Sequence, residues 1–393
     1  MNPKITSTKV QQFIEQNTHT NLNKLILKGS PFEGVSIQEI AQQIQGRQKC
    51  IKKLPLWYGT KNTVFPKKIN LEQSSSEITA HYKSDLVTGE SLIDLTGGFG
   101  VDCLYFSKKI KSVTYCELNT ELSNIAHYNS QKFKVKNIEF QIINSFDYLQ
   151  RNQLRFDWIY IDPSRRNEHK EKVFLLKDCI PNVPENIEFL FQYSNHILIK
   201  SSPMLDITKS MEELKFVKEI HVVSVENEVK ELLFILQKNH IGNTAIKTCN
   251  YQKKEKQLFN FEYGTHPSIR YSNPQKYLYE PNAAILKSGA FNQVAEQLKI
   301  NKLHKNSHLY TSEKLRSNFP GRAFIINQIL TYDKKKLLNM LPETKANIST
   351  RNFPETVAQI RKKTKIKEGG QIYLFFTTDC SDKKIVLVCS KEN

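Results

Sequence analysis

The chain has 393 residues, 39% hydrophobic and 10% aromatic, which excludes a disordered polymer and leaves room for two or three domains with buried cores. Its 57 Lys and Arg against 39 Asp and Glu give a formal charge of +18, a balance that favours a polyanionic partner. The seven cysteines are scattered and never spaced C-x-x-C, and no apolar run approaches the ~20 residues of a bilayer span, so no disulfide framework, zinc site, membrane segment or secretory signal is expected, and a reducing cytoplasm is.

In residues 1–70 apolar side chains recur at helical spacing, as in Val10, Phe13 and Ile14 and in Ile37, Ile40, Ala41 and Ile44. The second set opens with Ser36 and Glu39, the spacing of a capping box. A Pro- and Lys-bearing passage follows, then a short helix is expected over Ser76–Tyr82, with Gln73–Thr79 beside a ligand site. The passage LIDLTGGFGVD, Leu92 to Asp102, predicts a buried strand over Ser91–Leu95, a turn at Gly97, Gly98 and Gly100 that lets the backbone approach a ligand closely, and a helix over Val101–Lys109 whose first amides face that turn. The glycines are tighter than G-x-G-x-x-G, and Asp94 stands inside the strand, which points away from a hydride-transfer cofactor.

Further strands are expected at Ser112–Cys116, before Glu117; at Ile138–Ile143, before Asn144-Ser145-Phe146-Asp147; and at Asp157–Ile161, before Asp162-Pro163-Ser164-Arg165-Arg166. His196–Lys200, Glu219–Val225 and Glu231–Gln237 complete the set, the last two joined by a short turn. This is a seven-stranded, doubly wound Rossmann-like α/β sheet with an antiparallel final strand, ending near residue 240. Open sheets of this kind bind ligands outside the carboxyl ends of their strands, where the acidic residues fall.

Asp94, Thr96 and the glycines, with Glu117, Asp147 and Asp162, resemble the S-adenosylmethionine site of class I methyltransferases. By that resemblance Glu117 accepts two hydrogen bonds from ribose hydroxyls, Asp147 one from the adenine amino group, and Asp94 sits near the cofactor's ammonium. Each carboxylate taken singly reads equally as a solvated loop residue.

Charge is unevenly placed. Residues 241–393 carry 26 Lys and Arg against 12 Asp and Glu, while the first 240 carry 31 against 27, as expected of a catalytic domain joined to a nucleic-acid-binding module. Within this region Pro354 suits the first turn of a helix, and Arg361, Lys362, Lys363, Lys365 and Lys367 form a basic cluster, read either as an RNA contact or as cations at a helix end. Arg316, Arg322 and Arg351 add to the positive field. After Gly369-Gly370, a strand over Ile372–Thr377 can pair with Lys384–Cys389.

The TGGFGVD turn, the IDPSRR strand end and the segments YEPNAAI, LYTS, FPGRAF, RNFP and EGGQIYLF together resemble a bacterial family of class I methyltransferases that carry a ferredoxin-like segment and a C-terminal THUMP-like domain. The resemblance implies four parts: a helical N-terminal unit over 1–70, a methyltransferase domain over 71–240, and an α+β region made of a ferredoxin-like segment over 250–324 and a THUMP-like domain over 325–393. It also implies S-adenosylmethionine as cofactor and structured RNA, tRNA or rRNA, as partner. THUMP domains usually precede the catalytic domain, whereas here the similar segment comes last.

Asp162, Pro163 and Ser164 are the expected catalytic residues, and Arg165, Arg166, Lys200, Arg361, Lys362 and Lys363 the expected substrate contacts. Methyltransferases of the adenine amino group show D/N-P-P followed by an aromatic residue; here Ser164 and Arg165 replace the second proline and the ring, which counts against that target. Pyrimidine C5 chemistry needs a thiolate, and Cys179 lies far beyond the strand end, with Lys200-Ser201-Ser202-Pro203 after the fifth strand. Arg165 and Arg166 serve as a phosphate clamp or as ion-pair partners of Glu168 and Glu171, and Lys200 reaches a phosphate, Asp162 or solvent. The alternatives are a methyltransferase of a protein or small molecule, and a non-enzymatic RNA-binding protein.

Overall fold

The computed structural model describes residues 2–164, 175–253, 255–341 and 343–392. Arg165 and Arg166 lie outside them. Two compact units are formed, one of Met1–Ile220 with Lys230–Gly242 and one of His221–Val229 with Asn243–Asn393.

The first unit begins with helices α1 (Thr8–Gln16), α2 (Leu22–Lys28), α3 (Ile37–Lys53), α4 (Pro55–Gly59), α5 (Lys68–Gln73) and α6 (Glu77–Ser84). The Ser36–Glu39 capping box forms as the sequence predicts, and Ser76 caps α6. One apolar core joins these helices to the layer on the sheet: Ile40, Ile44, Trp57 and Leu71 pack in the same cluster as Phe99, Leu104 and Ile125.

Strands β1 (Ser91–Asp94), β2 (Ser112–Cys116), β3 (Ile138–Gln141), β4 (Trp158–Ile161), β5 (His196–Ser201), β6 (Val217–Val225) and β7 (Glu228–Gln237) alternate with α7 (Val101–Phe106), α8 (Thr120–Lys132), α9 (Ser145–Asn152), α10 (Val183–Tyr193) and α11 (Ile207–Glu213) up to β6. Trp158 to Ile161 and Ile197 to Ile199 are wholly buried, as strands covered on both faces must be. The order is β3-β2-β1-β4-β5-β7-β6, with β1, β2, β3, β4 and β5 parallel and β7 antiparallel to β5. This is the expected seven-stranded sheet; β8 (Ala245–Gln252) and β9 (Glu255–Glu262), two strands the sequence reading did not include, follow it in the chain and pair with each other antiparallel. The helix expected to reach Lys109 stops at Phe106, because the chain from Ser107 closes in turns back onto residues 103–106.

The second unit holds a seven-stranded sheet, β11-β12-β10-β13-β16-β15-β14, built from β10 (Tyr277–Pro281), β11 (Asn301–Lys302), β12 (Tyr310–Ser312), β13 (Gly321–Thr331), β14 (Asn347–Thr350), β15 (Ile372–Thr378) and β16 (Lys384–Lys391). Four helices accompany it: α12 (Ala283–Ser288), α13 (Phe291–Leu298), α14 (Lys334–Met340) and α15 (Val357–Thr364). The expected pairing of β15 with β16 is present and antiparallel, whereas β14 joins β15 in parallel. Pro354 stands outside α15. A capping box between Thr356 and Gln359 fixes the helix start at Val357 instead.

Candidate functional site

At the end of β1 the chain turns under tight steric control. A Cβ on Gly97 would lie 2.2 Å from the ring of Tyr115, so only glycine fits against that buried ring. Gly100 caps α7 in the left-handed region at φ +78°. Glu117, at the end of β2, uses both carboxylate oxygens on the turn: Gly98 N–H donates to Oε2 at 2.9 Å and Asn119 N–H to Oε1 at 2.8 Å. Tyr115 closes the loop by donating its hydroxyl to the Gly98 carbonyl at 2.6 Å.

Asp94 is buried beneath the turn. It accepts from Thr96 N–H at 2.8 Å, Thr96 Oγ1 at 3.2 Å and the Cys103 thiol at 3.1 Å. Burial pushes its carboxyl up to about 7, against the pull of those hydrogen bonds. Asp94 therefore shapes the turn from below. Thr96 links the two central strands, its Oγ1 accepting from Asp162 N–H at 2.7 Å just beyond β4.

Asp162 pairs with Lys200 from β5. Burial by itself would lower the Lys200 ammonium; the carboxylates of Asp162, Asp102 and Glu231 outweigh it and hold the lysine charged. Behind this pair lies an ionic cluster that sequence reasoning missed. Lys83 of α6, fully buried, donates to both oxygens of Glu231 at 2.7 and 2.8 Å and to Ser75 Oγ at 3.1 Å. Its Nζ also stands 3.2 Å from Asp102 Oδ1, an ion pair without hydrogen-bond alignment. Ser75 and Tyr160 each donate to Asp102 Oδ2 at 2.8 Å. Burial raises the Asp102 carboxyl, yet Lys83 and Lys200 draw it below its ordinary value; for Glu231 burial prevails over the same two lysines and the value is raised.

A cleft of about 730 Å³ opens over these residues. It is lined by Asp94, Thr96, Gly97, Gly98, Gly100, Glu117, Asp162, Pro163, Ser164 and Lys200, so ten of the predicted residues meet at one place. Asp147 does not join them. It lies exposed in the first turn of α9, and Asn144, which caps that helix, lines the cleft in its stead together with Ile143, Ser145 and Phe146. Ser164 exchanges backbone hydrogen bonds with Ile180, at 2.7 and 3.0 Å, which brings Ile180 and Pro181 into the wall. Among the described residues no group of His, Cys, Asp or Glu could hold a metal.

The predicted basic contacts of the second unit differ from one another. Arg361 is half-buried and donates to the backbone carbonyls of Ile366 and Ala346, which ties it to the end of α15. Lys363 pairs with Glu355 at 2.9 Å, and Lys362 is exposed, as are Lys365 and Lys367. Arg322 and Arg351 both engage the buried carboxylate of Glu280, and Arg316 donates to the Leu298 carbonyl.

Residues 277–320 match a family model described as a ferredoxin-like domain, and residues 321–391 one described as THUMP domain-like. A curated relative, an uncharacterized RNA methyltransferase of Mycoplasma mobile, is 29% identical over 141 residues; the match takes in 35% of this chain and 38% of the relative, so the chain spans about two fifths of that protein's length. The crystal structure of a Porphyromonas gingivalis W83 protein, described as a "putative methyltransferase", matches over 100% of both chains at 32% identity with a TM-score of 0.90. The glycine turn, the cleft at the strand ends and this end-to-end similarity agree: the chain belongs to the bacterial class I methyltransferase family that carries a ferredoxin-like segment and a C-terminal THUMP-like domain.

Proposed function

We propose that the protein is an S-adenosylmethionine-dependent methyltransferase acting on a base in structured RNA, tRNA or rRNA, held by the basic C-terminal region. The observation that carries this is the convergence of Glu117, the Gly97–Gly100 turn and Asp162 on one cleft. Glu117 already has both oxygens on backbone amides but retains lone pairs for a vicinal diol. Gly97, Gly98 and Gly100 present only backbone to the cleft, and the Phe99 side chain between them is buried in the core with Trp57 and Leu104. When bound, S-adenosylmethionine supplies a methyl group on a positively charged sulfur.

Displacement at an activated methyl needs positioning more than strong acid or base chemistry. Asp162, fixed by Lys200 through its side chain and by Thr96 through its backbone, is the group that orients an acceptor nitrogen or takes up its proton. Pro163 and Ser164 form the rim beside it, with Ile180 and Pro181 opposite Ser164. RNA is favoured by the +18 charge, by its concentration after residue 240 and by the description of the Mycoplasma relative. A protein or small-molecule substrate is the second reading, favoured by the engagement of Arg322, Arg351 and Arg361 within the protein.

Calorimetric titration of S-adenosylmethionine into the full chain tests the cofactor, and binding lost on Glu117→Ala is expected. Comparing modified nucleosides in total RNA from cells with and without the gene tests the substrate. An unchanged nucleoside profile with intact cofactor binding would turn the reading toward protein or small molecule.

A further inference from the structure

The cleft has a wall that does not come from the strand ends. Asn70, Glu72, Gln73, Ser74 and Ser75 line it, from the last turns of α5 and the loop before α6. This strap is fixed at both ends. Lys53 of α3 donates to the carbonyls of Leu71 at 2.7 Å and Glu72 at 2.9 Å, and Ser75 is bonded to Asp102 and to buried Lys83. Such anchoring specifies the place of a loop that could otherwise drift.

The anchors also place the strap along the sheet. Asp102 opens α7 and Tyr160 lies on β4, so Ser75 belongs to the β4 side of the glycine turn, while Glu117 belongs to the β2 side. A nucleoside held by its diol at Glu117 would have its amino-acid tail in the rest of the same cleft, between the turn, Asp162 and the strap, and the carboxylate of that tail would need donors. The lysines lining the cleft are already engaged, Lys200 by Asp162 and Lys230 by other contacts. The Gln73 carboxamide and the Ser75 backbone N–H, by contrast, have no hydrogen-bond partner among the described residues. Both donors line the cleft.

We infer that the strap Gln73–Ser75 is the subsite for the amino-acid end of the cofactor, with Gln73 and the Ser75 N–H receiving its carboxylate and Lys53 and Lys83 acting as positioning residues. This rests on the cofactor reading above. Calorimetry with two ligands tests it: S-adenosylhomocysteine, which carries the tail, and methylthioadenosine, which ends at the sulfur. Gln73 is exposed, so its substitution leaves the fold intact, which an unchanged unfolding temperature verifies. Gln73→Ala is expected to weaken S-adenosylhomocysteine about tenfold and Gln73→Glu further, by charge repulsion, with methylthioadenosine unchanged in both. Equal weakening of both ligands, or no weakening of either, overturns the subsite while the cofactor reading stands. Wild-type protein that binds neither ligand overturns both.

Discussion

At the scale of single residues, the glycine turn and the carboxylate beneath it make opposite demands on the chain. Gly97 has no slack: Tyr115 is itself buried and tied to Gly98, so its ring cannot retreat from an added methyl group. Gly97→Ala is expected to cost about 1–3 kcal/mol in thermal or denaturant unfolding and to weaken cofactor binding with it. Asp94 makes a pH-dependent contribution. Burial raises its pKa from 3.8 to about 7, so between those values the folded chain keeps a proton that the unfolded chain has released. Its contribution to stability therefore falls as the pH rises through that window. Asp94→Asn does not titrate, so its unfolding temperature relative to wild type is expected to rise between pH 5 and pH 8; a constant difference would show that Asp94 ionises normally. The turn was legible in the sequence because sterics allow few residues there. The place of Asp147 was not legible in the same way: Asn144, three residues earlier, caps α9 and lines the cleft, and Asp147 follows in the first turn of that helix.

Among the elements, the seven strands were readable from their apolar runs to within a few residues; β4 and β5, buried on both faces, leave the least choice of side chain, whereas the edge strand β3 is only partly buried. The ionic cluster beneath them was not. Lys83 and Glu231 are separated by 148 positions, and neither falls in a motif; only the packing of α6 against the sheet brings them together. Two of the paired residues, Lys83 and Glu231, are almost wholly buried, so removing one partner strands the other. Lys83→Met is expected to destabilise the first unit by about 3–5 kcal/mol, whereas Lys83→Met with Glu231→Gln recovers part of that loss. A double-mutant cycle on unfolding free energies measures the coupling, and additive losses would mean that the pair does not act as a unit. Lys53 has a related position. Burial, with Lys200 adding to it, lowers the ammonium to about 8, and the carbonyls of α5 are its hydrogen-bond partners.

Over the whole molecule, the sequence shows where charge accumulates but not how much of it is already spent. The excess beyond residue 240 reads as one positive field, yet Arg322 and Arg351 share Glu280, Arg361 closes a helix end and Lys363 faces Glu355. Lys362, Lys365 and Lys367, all exposed, remain as the part of the cluster able to meet phosphates. Replacing these three lysines with alanine is expected to weaken RNA binding and to flatten its salt dependence by about 2–3 in the slope of log K against log salt, since each phosphate contact releases just under one counterion. Arg361→Ala should do the reverse, lowering the unfolding temperature of the second unit through the lost carbonyl contacts while leaving the salt slope unchanged. Fluorescence anisotropy with a labelled tRNA over a range of salt concentrations, alongside thermal unfolding of each variant, separates the two. A triple-lysine variant with the wild-type slope would move the RNA path away from α15, and a salt-independent, weak interaction in the wild type would favour a protein or small-molecule substrate over RNA.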